Sequence, residues 1–460
     1  MRLGTALKRL VMAGAISLTP MASGAETLRD ALRSAYQHSG LLEQNRALLR
    51  AADEDVAQAV ATLRPVVSWV AQARIQHATD GVLTSSGAST VRSASATISA
   101  DWLLYDFGRT ELRVNALKET VLATRAQLIG VEQNVLFSAA AAFLNYRRAV
   151  DSESLRRNNV ELIQEQLRAA RDRFEVGEVT RTDVALAEAR LASARAQLAQ
   201  ASGSRVQASA EFQRAVGRAP GRLQAPSGLP RLPGSVDAAM SVARRGHPDM
   251  IAIQHQINAA ELSVQQTELS RRPNVSLNSS ATLDSGGGGI IGQVGVTASG
   301  QIYSGGAMAS QTRQAVARRD ATRAGLHTTR HIIDQTVQNA YVSLTVARAS
   351  MEATDRQIRA SQVAFRGVRE EASLGARTTL DVLDAEQELL NARTNRLSAG
   401  IDEQLAAYQV LAATGQMTAT ALNLGVKTYD PAEYYNLVSQ APRANSAQGQ
   451  ALDRVLQSIS

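Results

Sequence analysis

The sequence predicts an internally duplicated α+β membrane protein, in which long antiparallel helices form a coiled-coil tunnel and carry four transmembrane β-strands per chain. Three observations favour this fold class. A glycine-threonine-aspartate motif near residue 180 recurs 198 residues later, and each copy contains a 69-residue interval without proline. Each copy also has two segments that alternate apolar and polar residues, as strands do. A helix of the length of that interval would span ~100 Å, too long for a globular core, so it must pack along other helices.

The first 25 residues have the pattern of a secretory signal peptide. A basic start precedes an apolar run from Leu10 to Leu18, and small residues lead to an expected cleavage site after Ala25. The run is shorter than the ~20 residues that a membrane-spanning helix needs. No later segment comes closer to that length, so no transmembrane helix is predicted. A protein of the bacterial envelope follows.

Charge and composition argue against several classes of function. The formal net charge is +7, and removal of the signal peptide, which holds three basic residues and no acid, leaves +4. This modest charge does not support a nucleic-acid partner. With no cysteine in the chain, neither a disulfide nor a lipid-bearing cysteine is expected. No catalytic combination of side chains stands out, so neither an enzyme nor a cofactor is predicted.

The duplication follows one register. Residues Gly177 to Val184 align with Gly375 to Val382, and the offset of 198 residues also pairs Tyr105 with Tyr303. The first repeat is predicted at 26–216 and the second at 235–425, with a linker at 217–234 that holds four of the ten prolines.

Each repeat is predicted to contain a helix, a β-hairpin, a long helix and a shorter helix. In the first repeat these are expected at 28–63, 66–105, 108–176 and 180–216, and in the second at 235–271, 274–303, 306–374 and 378–414. The two shorter helices together match the length of the long one and can lie end to end beside it. Residues 426–460 are rich in Ala, Ser, Gln and Asn towards their end, which favours a partly disordered tail.

The strands have one apolar and one polar face. In the first strand Val67, Trp69 and Ile75 alternate with Ser68 and Gln72. Each strand has about the 9 to 11 residues that a tilted membrane strand needs. A soluble sheet half-buried on a core is the alternative, but little apolar sequence is left to cover it.

Four strands are too few for a closed barrel, and an open edge in lipid leaves backbone groups unpaired. The strands must therefore be completed by other copies of the chain. Three chains would supply twelve strands, an even-numbered barrel, so the strand count fits a homotrimer with a 12-stranded barrel.

Taken together, these features resemble the outer-membrane factors of the TolC type, the trimeric exit ducts of type I secretion and multidrug efflux systems. The likeness covers nearly the whole mature chain and rests on the duplicated tips, on Tyr105-Asp106-Phe107-Gly108 after the second strand, and on Tyr429-Asp430-Pro431. It implies a barrel in the outer membrane and a helical tunnel in the periplasm. Because it lacks an acceptor cysteine, the chain resembles the unlipidated secretion branch of this family more than the lipid-anchored drug-pump branch.

The resemblance also implies partners. It places docking of a periplasmic adaptor at the helix tips, at Gly177, Thr180, Gly375 and Thr378, and it implies an inner-membrane transporter of the ABC or RND type. The cargo is then set by the transporter, because generic polar residues line the duct. A periplasmic coiled-coil adaptor or scaffold remains the alternative function.

A gate is predicted at the second tip. Asp381 and Asp384 share one helix face, and the counterpart of Asp384 in the first copy is Leu186, so no shared structural duty requires a carboxylate there. Three chains would bring six carboxylates together, which favours cation binding and raised pKa values. The resemblance places the periplasmic gate rings on these two aspartates.

The resemblance further assigns a latch to Arg377 on one tip and to Thr182 and Asp183 on the other. Asp183 and Asp381 also have the spacing of a helix-capping box with the threonine three residues earlier, so a structural role for both stays open. Opening is expected when the tips of the second copy swing outward and break the Arg377 contacts.

Three other groups are interpreted as structural. The acidic run Asp53-Glu54-Asp55 is expected on an exposed helix face. The segment from Gly286 to Gly289 lacks the lysine of a phosphate-binding loop and is expected to be a flexible loop. His327 and His331 are four residues apart on a helix, but no third ligand is evident, so a solvated face is favoured over a metal site.

Overall fold

The computed structural model describes residues 25–78, 89–226, 228–285 and 289–459. Most of the expected signal peptide, the first hairpin's loop at 79–88 and residues 286–288 of the glycine segment lie outside the described residues. The elements in chain order are α1 (Leu28–His38), α2 (Gly40–Ala61), β1 (Val66–Ala78), β2 (Ser89–Tyr105), α3 (Arg109–Glu175), α4 (Arg181–Val216), α5 (Val236–Gly246), α6 (Pro248–Leu269), β3 (Asn274–Asp284), β4 (Ile290–Ser299), α7 (Ala307–Ser373), α8 (Thr379–Ala413), α9 (Pro431–Val438) and α10 (Ala447–Ile459).

Two long helices dominate the fold, one from each copy. Both α3 and α7 have 67 residues, which corresponds to ~100 Å. Within the chain, α3 packs along α2, α4, α6 and α8, and α7 packs along α5, α6 and α8. The fold is therefore α+β and internally duplicated, with long antiparallel helices beside a small sheet, as the sequence predicted.

The shorter helices that precede each hairpin are broken in two, where one continuous helix was expected. The first break is at Ser39, whose backbone is extended and whose hydroxyl accepts a hydrogen bond from Leu42 N. The second is at His247, also extended, which precedes Pro248 at the first position of α6. Proline disfavours the helical conformation of the residue before it, and it starts helices well.

The sheet joins the two copies. Its strand order is β1-β2-β3-β4, all antiparallel, so that β2 of the first copy pairs with β3 of the second. The register places Trp69 opposite Ile98, and Ile98 opposite Ala281. β4 ends at Ser299, four residues before the end of the hairpin expected from the sequence.

The largest apolar cluster lies where the helices of both copies meet. Phe143, Phe212 and Met417 are fully buried there, together with residues of α1 and α8. One 18-residue stretch of α3 is apolar enough in length and composition to cross a membrane, which corrects the expectation that no later segment comes closer to a membrane-spanning helix than the signal peptide does. Half of that stretch is buried inside the protein, and α3 supplies much of this cluster.

The acidic run on α2 is not a uniformly exposed face, and the prediction is wrong for Asp53. Asp53 is 0% exposed and lies on the face of Leu49 and Val56, because positions three and four residues apart share one side of a helix. Burial raises the pKa of Asp53 to about 6, against the opposing effect of Arg125, whose Nη2 is 3.9 Å away.

Two helices, α9 and α10, occupy much of the segment that the sequence favoured as a partly disordered tail. Asp430 caps α9 by accepting from Ala432 N, and Pro431 follows at the first helical position. Tyr434 and Val438 pack against Ala57 of α2, and the hydroxyl of Tyr434 donates to Glu54. Apolar side chains at helical spacing therefore anchor α9 to the first copy.

Candidate gate at the helix tips

The two helix tips are built in the same way. Two residues beyond the end of each long helix lies a glycine of positive φ, which is 81° at Gly177 and 77° at Gly375. The amide of the next residue reaches the carbonyl five residues earlier, at 2.9 Å for Glu178 to Arg173 and 2.9 Å for Ala376 to Glu371. This Schellman arrangement needs a left-handed residue, which glycine adopts at little cost.

Each tip then starts its second helix with a capping box. Asp183 accepts from the amide and hydroxyl of Thr180 at 2.9 and 2.8 Å, and Asp381 accepts from those of Thr378 at 2.9 and 2.8 Å. The capping role that the sequence left open is therefore present at both aspartates. Both carboxylates are engaged by their own tip.

The direction of the pKa shift at Asp381 differs from the expectation for the gate carboxylates. The backbone and hydroxyl hydrogen bonds from Thr378, helped by Arg377, hold the pKa of Asp381 below its usual range. The sequence suggested a raised pKa from crowding of like charges. Within one chain, donated hydrogen bonds favour the ionised form instead.

Asp384 pairs with the first copy. Its Oδ1 lies 2.5 Å from Nη2 of Arg190 on α4. Arg190 was not among the residues predicted from the sequence, although the repeat carries a signal for this pair. Arg190 corresponds to Glu388 in the second copy, just as Asp384 corresponds to Leu186. Both departures from the repeat meet in one ion pair across the two copies.

Of the predicted latch residues, Arg377 and Asp183 line one cavity between the tips, but among the described residues no hydrogen bond joins Arg377 to Thr182 or Asp183. Arg377 donates from Nε to Glu371 at 2.9 Å, and Thr182 is exposed. A cavity of 610 Å³ lies between the tips, and six predicted residues line it: Gly177, Thr180, Asp183, Gly375, Arg377 and Thr378. Among the described residues, Thr182, Asp381 and Asp384 are not part of that lining.

Apolar contacts hold the tips against each other just beyond this cavity. Leu383 of α8 packs into a cluster with Ile163 and Leu167 of α3 and Leu191 of α4. A buried acid that the sequence did not predict as a site residue lies one turn further along α8. Glu386 is 4% exposed, and its carboxylate oxygens have no hydrogen-bond partner among the described residues.

Over the ranges that the structure describes, no group of three or more His, Asp or Glu side chains is arranged to hold a metal ion.

Comparison with known proteins places this architecture in a family. The sequence profile of the family described as outer membrane efflux protein matches residues 31–218 and 239–416. The chain is 35% identical over 445 residues to the outer membrane efflux protein BepC of Brucella suis biovar 1. The aligned residues cover 94% of this chain and 96% of BepC. It is 25% identical to the outer membrane protein TolC of Escherichia coli over 70% of each chain.

Solved structures have the same fold. The Campylobacter jejuni CmeC outer membrane channel superposes with a TM-score of 0.75 at 15% identity, covering 96% of this chain and 97% of CmeC. The two matched stretches of the family profile correspond to the two copies of the internal duplication. The chain therefore belongs to the outer membrane efflux protein family, and it is an outer-membrane protein of the TolC type with its helical tunnel in the periplasm.

Proposed function

We propose that three copies of this chain form an exit duct, in which a 12-stranded barrel crosses the outer membrane and the helices form a tunnel that passes substrate without chemistry. The single observation that carries this proposal is the two-faced sheet. On one face, Trp102 of β2, Leu277 of β3 and Val296 of β4 form a continuous row of apolar residues. Such a row suits lipid.

The opposite face of the sheet is polar. Ser68 and Ser99 lie opposite each other with their hydroxyls 2.8 Å apart, and Thr97 lies 3.0 Å from Thr282 between hydroxyl oxygens. A sheet that presents one face to lipid and the other to a water-filled interior has this pattern.

The sheet edges support assembly from several copies. Among the described strands, β1 pairs only with β2 and β4 only with β3. In lipid, an unpaired strand edge is very costly, so β1 of one copy is expected to pair with β4 of the next. On the helical side, Val342 and Val346 leave an exposed apolar stripe on α7, which a neighbouring copy can cover.

The gate is proposed at the tips. In this proposal Asp381 and Asp384 of three chains form the carboxylate rings, and Arg377 forms the latch with Thr182 and Asp183. A periplasmic adaptor docks on the tips at Gly177, Thr180, Gly375 and Thr378 and engages them together with an inner-membrane transporter of the ABC or RND type. The second copy's tip then swings outward, and the duct opens.

Planar-bilayer recording tests the duct and its gate together. The purified mature protein should give a small, cation-selective conductance, because six carboxylates line the constriction. The double variant Asp381→Ala/Asp384→Ala should lose that selectivity. Conductance that is indifferent to both substitutions would move the gate elsewhere, and folded protein that does not conduct would favour an adaptor or scaffold.

A further inference from the structure

A buried acid lies where the second copy packs on the first. Glu386 of α8 borders a partly open cavity of 240 Å³, whose other polar lining comes from Asn159 of α3, Arg190, Ser193 and Gln197 of α4, and Gln387 of α8. The side chain is 4% exposed, and neither carboxylate oxygen has a hydrogen-bond partner among the described residues. An unpaired buried carboxylate is costly when ionised, so the site favours the neutral acid.

The internal repeat shows that the helix itself does not require this arrangement. Glu188 is the equivalent residue of the first copy. Its carboxylate is half exposed and accepts from Arg171 at 2.6 Å. The same residue type at the same position is therefore solvated and paired in one copy, but enclosed in the other.

Within the described part of the chain, no charged group is in contact with the Glu386 carboxylate. Arg190 on α4 is engaged by Asp384. Arg156 on α3 donates to Gln197 at 2.6 Å, and Asn159 on α3 is uncharged. Burial raises the pKa of Glu386 to about 7, and Arg369 on α7 opposes that rise only in part.

We propose that Glu386 is a proton-binding site that couples periplasmic pH to separation of the two tips. The proposal rests on the proposed gate, in which α8 moves away from α3 and α4. In the packed arrangement, the carboxyl group is neutral inside the cavity. Separation admits water, the O–H bond breaks, the proton passes to that water, and the carboxylate becomes hydrated.

The direction of the pH effect follows from the pKa of Glu386 in the packed and in the hydrated state. The packed state holds the proton up to a pH of about 7, whereas the hydrated group releases it near its ordinary value of 4.5. Rising pH therefore favours separated tips, by about tenfold per pH unit between 4.5 and 7, and the effect is constant above 7. The largest change in the ratio of separated to packed tips is about 300-fold per protomer.

Conductance tests the coupling. The wild-type duct should be mostly closed near pH 5.5 and should open increasingly towards pH 8. Glu386→Gln keeps the shape of the neutral acid, so its open probability should stay at the acid value across this range. Glu386→Met, apolar and of similar volume, should behave like the glutamine variant. Glu188→Gln is the matched control and should retain the wild-type pH response.

A distance measurement tests the same inference without relying on conduction. The chain has no cysteine, so cysteines at the exposed positions Val176 and Leu374, one on each tip, can carry a pair of spin labels in the full-length protein. The distance distribution should shift to longer values from pH 5.5 to 8 in the wild-type background. It should remain unchanged in the Glu386→Gln background.

The two readouts separate failure of the inference from failure of the proposed duct. A pH-dependent shift in distance that Glu386→Gln abolishes, in a protein that does not conduct, supports the proton site and overturns the duct. Distances that are constant with pH, or that respond equally in Glu386→Gln, overturn the proton site even where the duct conducts.

Discussion

Removal of Arg190 is expected to open the duct by weakening the contact between the two copies. The Arg190 and Asp384 side chains are 40% and 56% exposed, with 2.5 Å between Nη2 and Oδ1. Ion pairs this exposed contribute ~0.2–1 kcal/mol each. In a trimer whose three tips open together, the closed state loses ~0.6–3 kcal/mol, which changes the open-to-closed ratio by ~3- to 150-fold.

Open probability in planar bilayers measures this effect, best as a double-mutant cycle of Arg190→Ala, Asp384→Ala and the double variant. Each single variant should raise the open probability, and the double variant should add little, because the same pair is broken in all three. The effect should shrink between about 0.15 and 1 M KCl, since salt screens exposed charges.

Arg171→Ala is the matched control for this experiment. Arg171 pairs with Glu188 at 2.6 Å with similar exposure, but both residues belong to the first copy, so outward movement of α8 leaves that pair intact. Equal opening by Arg171→Ala, or an Arg190→Ala channel as closed as wild type, would refute the assignment of the Arg190 pair to the gate.

Two further predictions concern Arg377 at the tip of the second copy and the buried Asp53 of α2. Arg377→Ala should raise the resting conductance if Arg377 latches the opposite tip. Glu371→Ala removes only the partner of Arg377 within its own tip, so this variant should leave the duct closed. An Arg377→Ala channel that stays closed counts against the latch. Asp53→Asn should remove a pH-dependent loss of stability: the folded-state pKa of about 6 exceeds the ordinary 3.8, so the wild type loses ~3 kcal/mol as pH rises through that interval. Urea unfolding followed by helical circular dichroism at pH 4 and 7 measures it. Asp55→Asn, a change at an exposed residue of the same helix, should retain the wild-type pH dependence. An equal loss of stability in Asp53→Asn between pH 4 and 7 would refute the assignment of this loss to Asp53.

The duplication explains why so much of the fold was predictable. A proline-free interval that occurs twice at one offset predicts two equal helices, and α3 and α7 indeed have 67 residues each. Alternating residues likewise indicated the strands, because the strand period of two differs sharply from the helical period. Repetition turned weak local signals into strong ones.

The breaks in the shorter helices depend on local chemistry that periodicity does not register. Pro248 carried the signal for the break at His247, because the residue before a proline is driven to extended conformations. Ser39 is a weaker signal, since a serine inside a helical pattern is common and only its hydrogen bond to Leu42 N distinguishes a cap.

The site was predictable only where it repeats along the chain. The capping boxes follow from a spacing of three residues, so both were anticipated as a structural option. The partner of Asp384 and the enclosure of Glu386 depend on how α8 lies against α3 and α4, which no spacing in the sequence encodes. Comparison of the two copies still offered a hint, because Arg190 and Asp384 both replace residues of different character.

The pairing of β2 with β3 fixes the two copies to each other at the sheet end of the chain. Closer to the tips, the apolar cluster around Phe143 also joins the two copies, and α3 runs ~50 Å from there to its end. In the proposed opening, a displacement of ~5 Å at the tips would need a rotation of only about 6° over that length. Small, distributed bending can therefore move the tips without strain on the sheet's backbone hydrogen bonds.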